Sequence, residues 1–266
     1  GDDWPTTVSV RSATTTLKNE AFSGNAGALY MFDSGFSPYL SYAESFEPST
    51  RTALDSYDGH AFDPTRGKQW EVGVNYQPAS FDGLVTLAAY DLRKKDDAIV
   101  DTDHDNVCGA NGAGTCYISA GETRVRGVEL EASWQVTRAF ALLGNLAYLD
   151  AKFVKFPGAQ LFFPKADGTG NKSVSNGDLS GAPMLRSPKW SGNGSADLKV
   201  ETTAGTFGAF ATLEFSSSFG LEPTGLVRSG SFVRLDGSLS FAPAAVRGLR
   251  LIAWGKNLTN TTYLVT

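Results

Sequence analysis

The chain has 266 residues and a strand-and-turn composition, with 29 glycines, 12% aromatic and 19% charged residues. Its formal net charge of -5 argues against a nucleic-acid-binding protein, which would normally carry a basic patch. No window of about 18 consecutive apolar residues is present, which excludes a transmembrane helix. Membrane-spanning β-strands need only about 9 to 11 alternating residues, so they remain open.

Alternation of apolar and polar residues predicts about eleven strands along the chain. It is clearest in Arg124–Val136, where Val128 and Leu130 point to one face and Glu129 and Glu131 to the other. The predicted strands are 6–12, 22–32, 37–47, 68–77, 84–93, 124–136, 140–153, 190–200, 207–218, 231–241 and 249–257.

Short and long connections alternate between these strands, with the longest irregular stretch at Phe153–Leu185. An up-and-down barrel with one end in the periplasm sorts its connections in this way, whereas a soluble β-sandwich has no reason to. We therefore favour an antiparallel transmembrane β-barrel over the sandwich. Closed bacterial barrels have an even number of strands, so about eleven indicates a partial barrel and part of a larger protein.

Two cysteines, Cys108 and Cys116, lie eight positions apart in a Gly/Ala/Asn segment. This spacing predicts a disulfide if the compartment is oxidising; two unpaired thiols are the alternative. His104 and the nearby Asp101, Asp103 and Asp105 suggest a metal or calcium site. No Glu closes a calcium loop, so we expect a solvated loop and no metal.

Four segments together resemble the C-terminal half of the barrel of TonB-dependent siderophore receptors. They are Ser37-Pro-Tyr-Leu-Ser-Tyr-Ala-Glu-Ser-Phe-Glu-Pro48, Gly67-Lys-Gln-Trp-Glu-Val-Gly-Val74, Arg124-Val-Arg-Gly-Val-Glu-Leu-Glu-Ala132, and Asn257-Leu-Thr-Asn260 followed by Tyr263. The resemblance implies a 22-stranded barrel in the bacterial outer membrane, filled by an N-terminal plug. Residues 1–266 would be the C-terminal portion of that barrel, without the plug and the final strand.

Glu71, Glu129 and Glu131 lie on the polar faces of their strands and are expected to face the lumen and contact the plug. Paired carboxylates could also serve as acid and base in an enzyme. However, Glu129 and Glu131 are about 7 Å apart on one strand and lack a cleft. We therefore predict no catalytic residue, no enzyme activity and no cofactor.

The resemblance also implies a ligand pocket lined by aromatic side chains at the extracellular mouth. The candidates in the predicted loops are Tyr57, Phe62, Tyr117, Phe156, Phe162 and Phe163. Packing between loops is the alternative role for each of them. Trp70, Trp134 and Trp190 stand at strand positions suited to interfacial aromatic belts.

The sequence therefore predicts a receptor for TonB-dependent uptake of a ferric siderophore. Its expected partners are the siderophore, the TonB complex through the plug, and outer-membrane lipid, with no nucleic acid. A receptor for cobalamin, heme or a carbohydrate, or a passive porin-like barrel, remains the alternative.

Overall fold

The fold is all-β, and a computed structural model describes residues 22–101, 104, 106–222 and 225–263 of the chain. Ten strands form one antiparallel sheet in the order β1-β2-β3-β4-β5-β6-β9-β10-β13-β14. These strands are β1 Gly24–Leu29, β2 Phe36–Glu47, β3 Thr65–Tyr76, β4 Gly83–Val100, β5 Tyr117–Thr137, β6 Phe140–Lys155, β9 Trp190–Thr202, β10 Gly205–Ser216, β13 Phe232–Pro243 and β14 Leu251–Gly255. Each strand pairs with its neighbour along the chain, as an up-and-down barrel requires.

Two small hairpins and one helical turn lie in the connections. The hairpins are β7 Ala159–Pro164 with β8 Asn171–Gly177, and β11 Phe219–Gly220 with β12 Arg228–Ser229. The helical turn is Ala53–Asp55, and Thr52 and Asp55 cap it reciprocally. Within the described residues, no helix is long and apolar enough to cross a membrane.

Connection lengths alternate strictly along the ten-stranded sheet, as predicted. Segments 30–35, 77–82, 138–139, 203–204 and 244–250 are short; segments 48–64, 101–116, 156–189 and 217–231 are long. Because the sheet is antiparallel, all short segments lie at one end of it and all long ones at the other. We call these the turn end and the loop end.

The two faces of the sheet differ in chemistry. The apolar face carries Trp70, Val72 and Val128, whose exposed fractions are 54%, 55% and 44%. The opposite, polar face carries Glu71 and Glu129. Only six hydrophobic residues are buried among those described, and most of them belong to the long connections: Phe62, Cys108, Cys116, Ala151, Ala159 and Leu179. The apolar face therefore covers no core, which is the opposite of a soluble sandwich.

Ten of the eleven predicted strands appear in the sheet, and the first, 6–12, lies outside the described residues. The predicted boundaries at the loop end are wrong, because β4 continues to Val100 and β5 begins at Tyr117. The prediction of an irregular 153–185 is also wrong, since this stretch contains the β7–β8 hairpin. A partial, open sheet is observed, with β1 and β14 at its edges within the described residues.

Candidate functional site

Two tyrosines hold the carboxylates on the polar face in the same way. The Tyr39 hydroxyl donates to Glu71 Oε1 at 2.9 Å, and the Tyr90 hydroxyl donates to Glu129 Oε1 at 2.9 Å. A side-chain hydrogen bond to a charged group is stronger than one between neutral groups. Both carboxylates are therefore fixed on the sheet rather than free to swing.

A glycine lies under each of these tyrosine rings. Tyr39 is the register partner of Gly73, and Tyr90 that of Gly127. A Cβ atom at Gly73 would be 2.6 Å from the Tyr39 ring, and one at Gly127 would be 2.5 Å from the Tyr90 ring. Only glycine lets the rings lie flat across the neighbouring strand, so each tyrosine, glycine and glutamate forms one unit.

The Tyr39–Gly73–Glu71 unit and the Tyr90–Gly127–Glu129 unit lie side by side on the polar face, because β3 pairs with β4. Glu71 is the register partner of Tyr90, and Ala88 lies between Gly73 and Glu129. Gln69 Nε2 also donates to Glu71 Oε2, at 3.1 Å. Glu131, the third predicted carboxylate, lies on the same face and is exposed.

The sequence interpretation identified the three carboxylates but missed Tyr39 and Tyr90. The available signal was parity: Tyr39 lies on the opposite face of its strand from Leu40 and Tyr42, and Tyr90 on the opposite face from Leu87 and Ala89.

Two long connections, 48–64 and 101–116, dock on each other at the loop end. The Tyr57 ring stacks on His104 with ring centroids 3.6 Å apart, and Gly109 N donates to Leu54 O at 2.7 Å. The Arg51 guanidinium lies 3.7 Å from the centroid of the Tyr117 ring. The first two contacts cross from one connection to the other, and the third joins connection 48–64 to the first residue of β5. Together they make the two connections a single body.

A disulfide joins Cys108 to Cys116 in the second of these connections. His104 Nδ1 lies 2.8 Å from Asp101 Oδ2, which ties the start of the same connection. Asp103 and Asp105 of the Asp-rich run lie outside the described residues. In the part of the chain that is described, no group of three His, Cys, Asp or Glu could hold a metal ion.

The six predicted ligand-binding aromatics occupy different environments. Tyr57 is 57% exposed, whereas Phe62 is 7% exposed and packed inside its connection. Phe156 packs edge-on against Phe153 at 4.9 Å. Tyr117 is covered by Arg51, Phe163 lies on β7 and is 38% exposed, and the side chain of Phe162 is outside the described part. The five whose side chains are described therefore do not line one common pocket among the described residues.

A cleft of about 720 Å³ at the loop end is lined by none of these six aromatics. It lies between β6 and the connections 178–189 and 217–231, and Asp150, Lys152 and Arg228 line it with Trp190. Its mixed polar and apolar lining suits a small polar ligand. Alternation could not reveal it, because most of its residues lie outside the regular strands.

Aromatic pairs lie on the apolar face towards both ends of the sheet. Tyr42 packs on Trp70 at 4.5 Å and Tyr148 on Trp190 at 4.9 Å, both towards the loop end. Phe81 with Trp134, and Phe207 with Phe241, occupy the turn end. This arrangement of aromatic side chains flanking an apolar band is typical of outer-membrane barrels.

Comparison with known proteins identifies a family model over nearly the whole chain and similar protein sequences over about half of it. A family model described as "TonB dependent receptor-like, beta-barrel" matches residues 1–258. The ferrichrome outer membrane transporter/phage receptor of Escherichia coli K12 is 37% identical over 155 residues, which cover 57% of this chain and 19% of that protein. The ferrioxamine B receptor of Salmonella typhimurium SL1344 is 32% identical over 139 residues, covering 52% and 18%. The matched segments thus span about a fifth of these relatives.

Solved structures share the fold. The ferric preacinetobactin receptor BauA of Acinetobacter baumannii superimposes with a TM-score of 0.69 at 20% identity, covering 92% of this chain and 33% of that one. The siderophore receptor PiuA of the same organism gives 0.68 at 19% identity, covering 91% and 32%.

Proposed function

Because the chain belongs to the TonB-dependent receptor-like β-barrel family, we propose that it forms part of a receptor for the TonB-dependent uptake of a ferric siderophore. Proteins of this family are receptors and transporters of the Gram-negative outer membrane, not enzymes. The observation that carries the proposal is the similarity to relatives named as ferrichrome and ferrioxamine B receptors.

In this proposal, residues 1–266 are the C-terminal portion of the barrel, with the polar face towards the lumen and the apolar face towards lipid. Glu71 and Glu129 contact the plug. Their support is geometric: each carboxylate has four acceptor positions and uses only part of them on Tyr39, Gln69 or Tyr90. A guanidinium or ammonium group of the plug would donate to the acceptor positions that remain on Glu71 and Glu129. Glu131 adds charge to the same wall.

The ferric ligand binds at the loop end, and Tyr57 is the best placed of the predicted aromatics because more than half of its side chain is exposed. Phe62 supports the connection from inside instead. Phe163 and the cleft beside Trp190 are further contact surfaces. TonB acts through the plug region, so the whole transport cycle is a property of the full-length gene product.

Uptake of iron tests the proposal directly. A strain lacking the gene is starved for iron, supplied with ⁵⁵Fe-ferrichrome or ⁵⁵Fe-ferrioxamine B, and complemented with the full-length gene. We expect uptake of one of the two to return only with the gene and to vanish when TonB is absent. Uptake that persists without TonB would instead indicate a passive porin-like barrel. Restored uptake of cobalamin or heme alone would identify a different nutrient.

A further inference from the structure

A cluster of arginines lies on the apolar face, just beyond the point where the apolar side chains end. Arg124 Nε donates to Asp91 Oδ1 at 3.0 Å, and Arg124 Nη2 also contacts Asp91 Oδ2. Arg126 Nε donates to Asp91 Oδ2 at 3.1 Å, and Arg93 Nε lies 3.7 Å from Oδ1. Three guanidiniums therefore share one carboxylate, which can neutralise only one of them.

The register confirms that this cluster shares the outward-facing side of the sheet with the apolar residues. Asp91 is the partner of both Trp70 and Arg126, and Arg93 is the partner of both Lys68 and Arg124. Register partners of an antiparallel pair lie on one face. Along β5, Arg126 is the next residue on that face after Val128.

Two adjacent rows of this face carry an excess of positive charge. One row runs through Glu44, Lys68, Arg93, Arg124 and Lys152, and the next through Tyr42, Trp70, Asp91, Arg126 and Asp150. Together they hold five basic and three acidic side chains, a local charge of +2 in a chain whose formal net charge is -5. The excess is therefore a local property of this surface.

Four of the five basic side chains remain accessible, whereas Arg124 is only 19% exposed. The exposed fractions of the side chains are 59% for Lys68, 48% for Arg93 and 47% for Arg126, although each is near a carboxylate. Arginine presents several N–H donors in a planar fork, so a guanidinium that already contacts Asp91 can still donate to a phosphate.

We propose that this arginine cluster binds the phosphate of a lipid headgroup in the leaflet next to the loop end. The position of the cluster favours a lipid headgroup as its partner. The Tyr42–Trp70 pair lies where aromatic residues meet the membrane–water interface, and the cluster begins in the same row, at headgroup level. A phosphate there accepts hydrogen bonds from the guanidinium N–H groups that do not donate to Asp91. The inference rests on the proposed orientation of the apolar face towards lipid, but not on any transported ligand.

Native mass spectrometry of the full-length gene product, released from detergent micelles, tests the inference. The probes are a glycolipid carrying two phosphates and the same lipid after the phosphates are removed. Each basic residue near an anionic lipid contributes about a five-fold gain in affinity, so Arg93→Gln with Arg126→Gln should weaken binding about thirty-fold. Arg247→Gln with Arg250→Gln, exposed residues at the turn end, removes the same charge and should change nothing.

Asp91→Asn is a second variant, with the opposite expected effect on lipid affinity, because it removes the carboxylate that competes with the phosphate for the arginines. We expect tighter binding of the phosphorylated lipid than in the wild type, a gain that a merely structural role would not produce. Equal binding of the two lipids by the wild type would overturn the proposal. So would an undiminished affinity in the double arginine variant, or displacement of the lipid by inorganic phosphate at equal concentration.

Iron uptake by the same variants separates this inference from the proposed function. We expect the double arginine variant to transport the ferric siderophore at the wild-type rate while it loses the lipid. Lost lipid binding with normal uptake supports both proposals. Retained lipid binding in a receptor that transports no siderophore would leave the headgroup site standing and refute the proposed function.

Discussion

Replacing Gly127 by alanine should destabilise the sheet, because the Tyr90 ring fills the space that a side chain would need. A Cβ atom on Gly127 would be 2.5 Å from both Cζ and Oη of Tyr90. Non-bonded carbon atoms are best separated by about 3.5 to 4.0 Å, so the ring must move by about an ångström. That movement also withdraws the hydroxyl from Glu129 Oε1, which it reaches at 2.9 Å.

The magnitude follows from three contributions to the free energy of unfolding. Forcing a group into filled space costs about 1 to 3 kcal/mol. Losing a hydrogen bond to a charged group costs about 1.5 kcal/mol, the lower end of the usual range, because Tyr90 and Glu129 are only half-buried. Alanine recovers about 0.5 to 1 kcal/mol relative to glycine inside a strand. The balance is a loss of about 1.5 to 4 kcal/mol.

Guanidinium unfolding of the full-length gene product in lipid vesicles measures this loss. Gly194→Ala is the matched control, since no atom lies within 4 Å of a Cβ placed there, and it should stay within about 0.5 kcal/mol of the wild type. In a Tyr90→Ala background, Gly127→Ala should no longer destabilise. An equal loss with and without the Tyr90 ring would refute the packing argument.

Three further changes test the faces and the loops. Leu130→Arg should cost about 2 to 4 kcal/mol, because it places a charge on the apolar face, which we propose faces lipid. Ser133→Arg on the polar face should be nearly neutral, and equal unfolding midpoints would contradict the assignment of the faces. Replacing Cys108 and Cys116 by serine should release about 2 to 3 kcal/mol of local constraint and speed protease cleavage within 101–116, with the sheet intact in circular dichroism. Tyr57→Ala should weaken binding of the ferric ligand about ten-fold without changing thermal stability, and unchanged affinity would remove Tyr57 from the site.

The strands and their two faces could be predicted because one face is apolar and the other polar over most of their length. That signal ends where both faces become polar. Beyond Arg93, the charged pair Asp96 and Asp97 interrupts the alternation, and the β4–β5 ladder contains register shifts on both sides of Asp97. The strands continue there through backbone pairing across a shifted register, which side-chain alternation does not record.

The β7–β8 hairpin was missed for a related reason. Its second strand, Asn171–Gly177, is almost entirely polar and shows no periodicity, although the turn sequence Asp167-Gly-Thr-Gly170 between the strands was visible. Thr169 donates to the Asp167 carboxylate at 2.9 Å from its backbone N–H and lowers the pKa of Asp167. Contacts between distant connections, such as Tyr57 on His104, leave no trace in either local sequence.

Under the proposed function, the docking of connection 48–64 on connection 101–116 constrains how ligand specificity could be exchanged between receptors. The stacking of Tyr57 on His104 and the Gly109–Leu54 hydrogen bond each take one partner from each connection, and Arg51 adds a contact to Tyr117 at the start of β5. A graft of either connection alone would remove one partner from the Tyr57–His104 stack and from the Gly109–Leu54 hydrogen bond. The two must be transplanted as one cassette, and natural variation is expected to change them together.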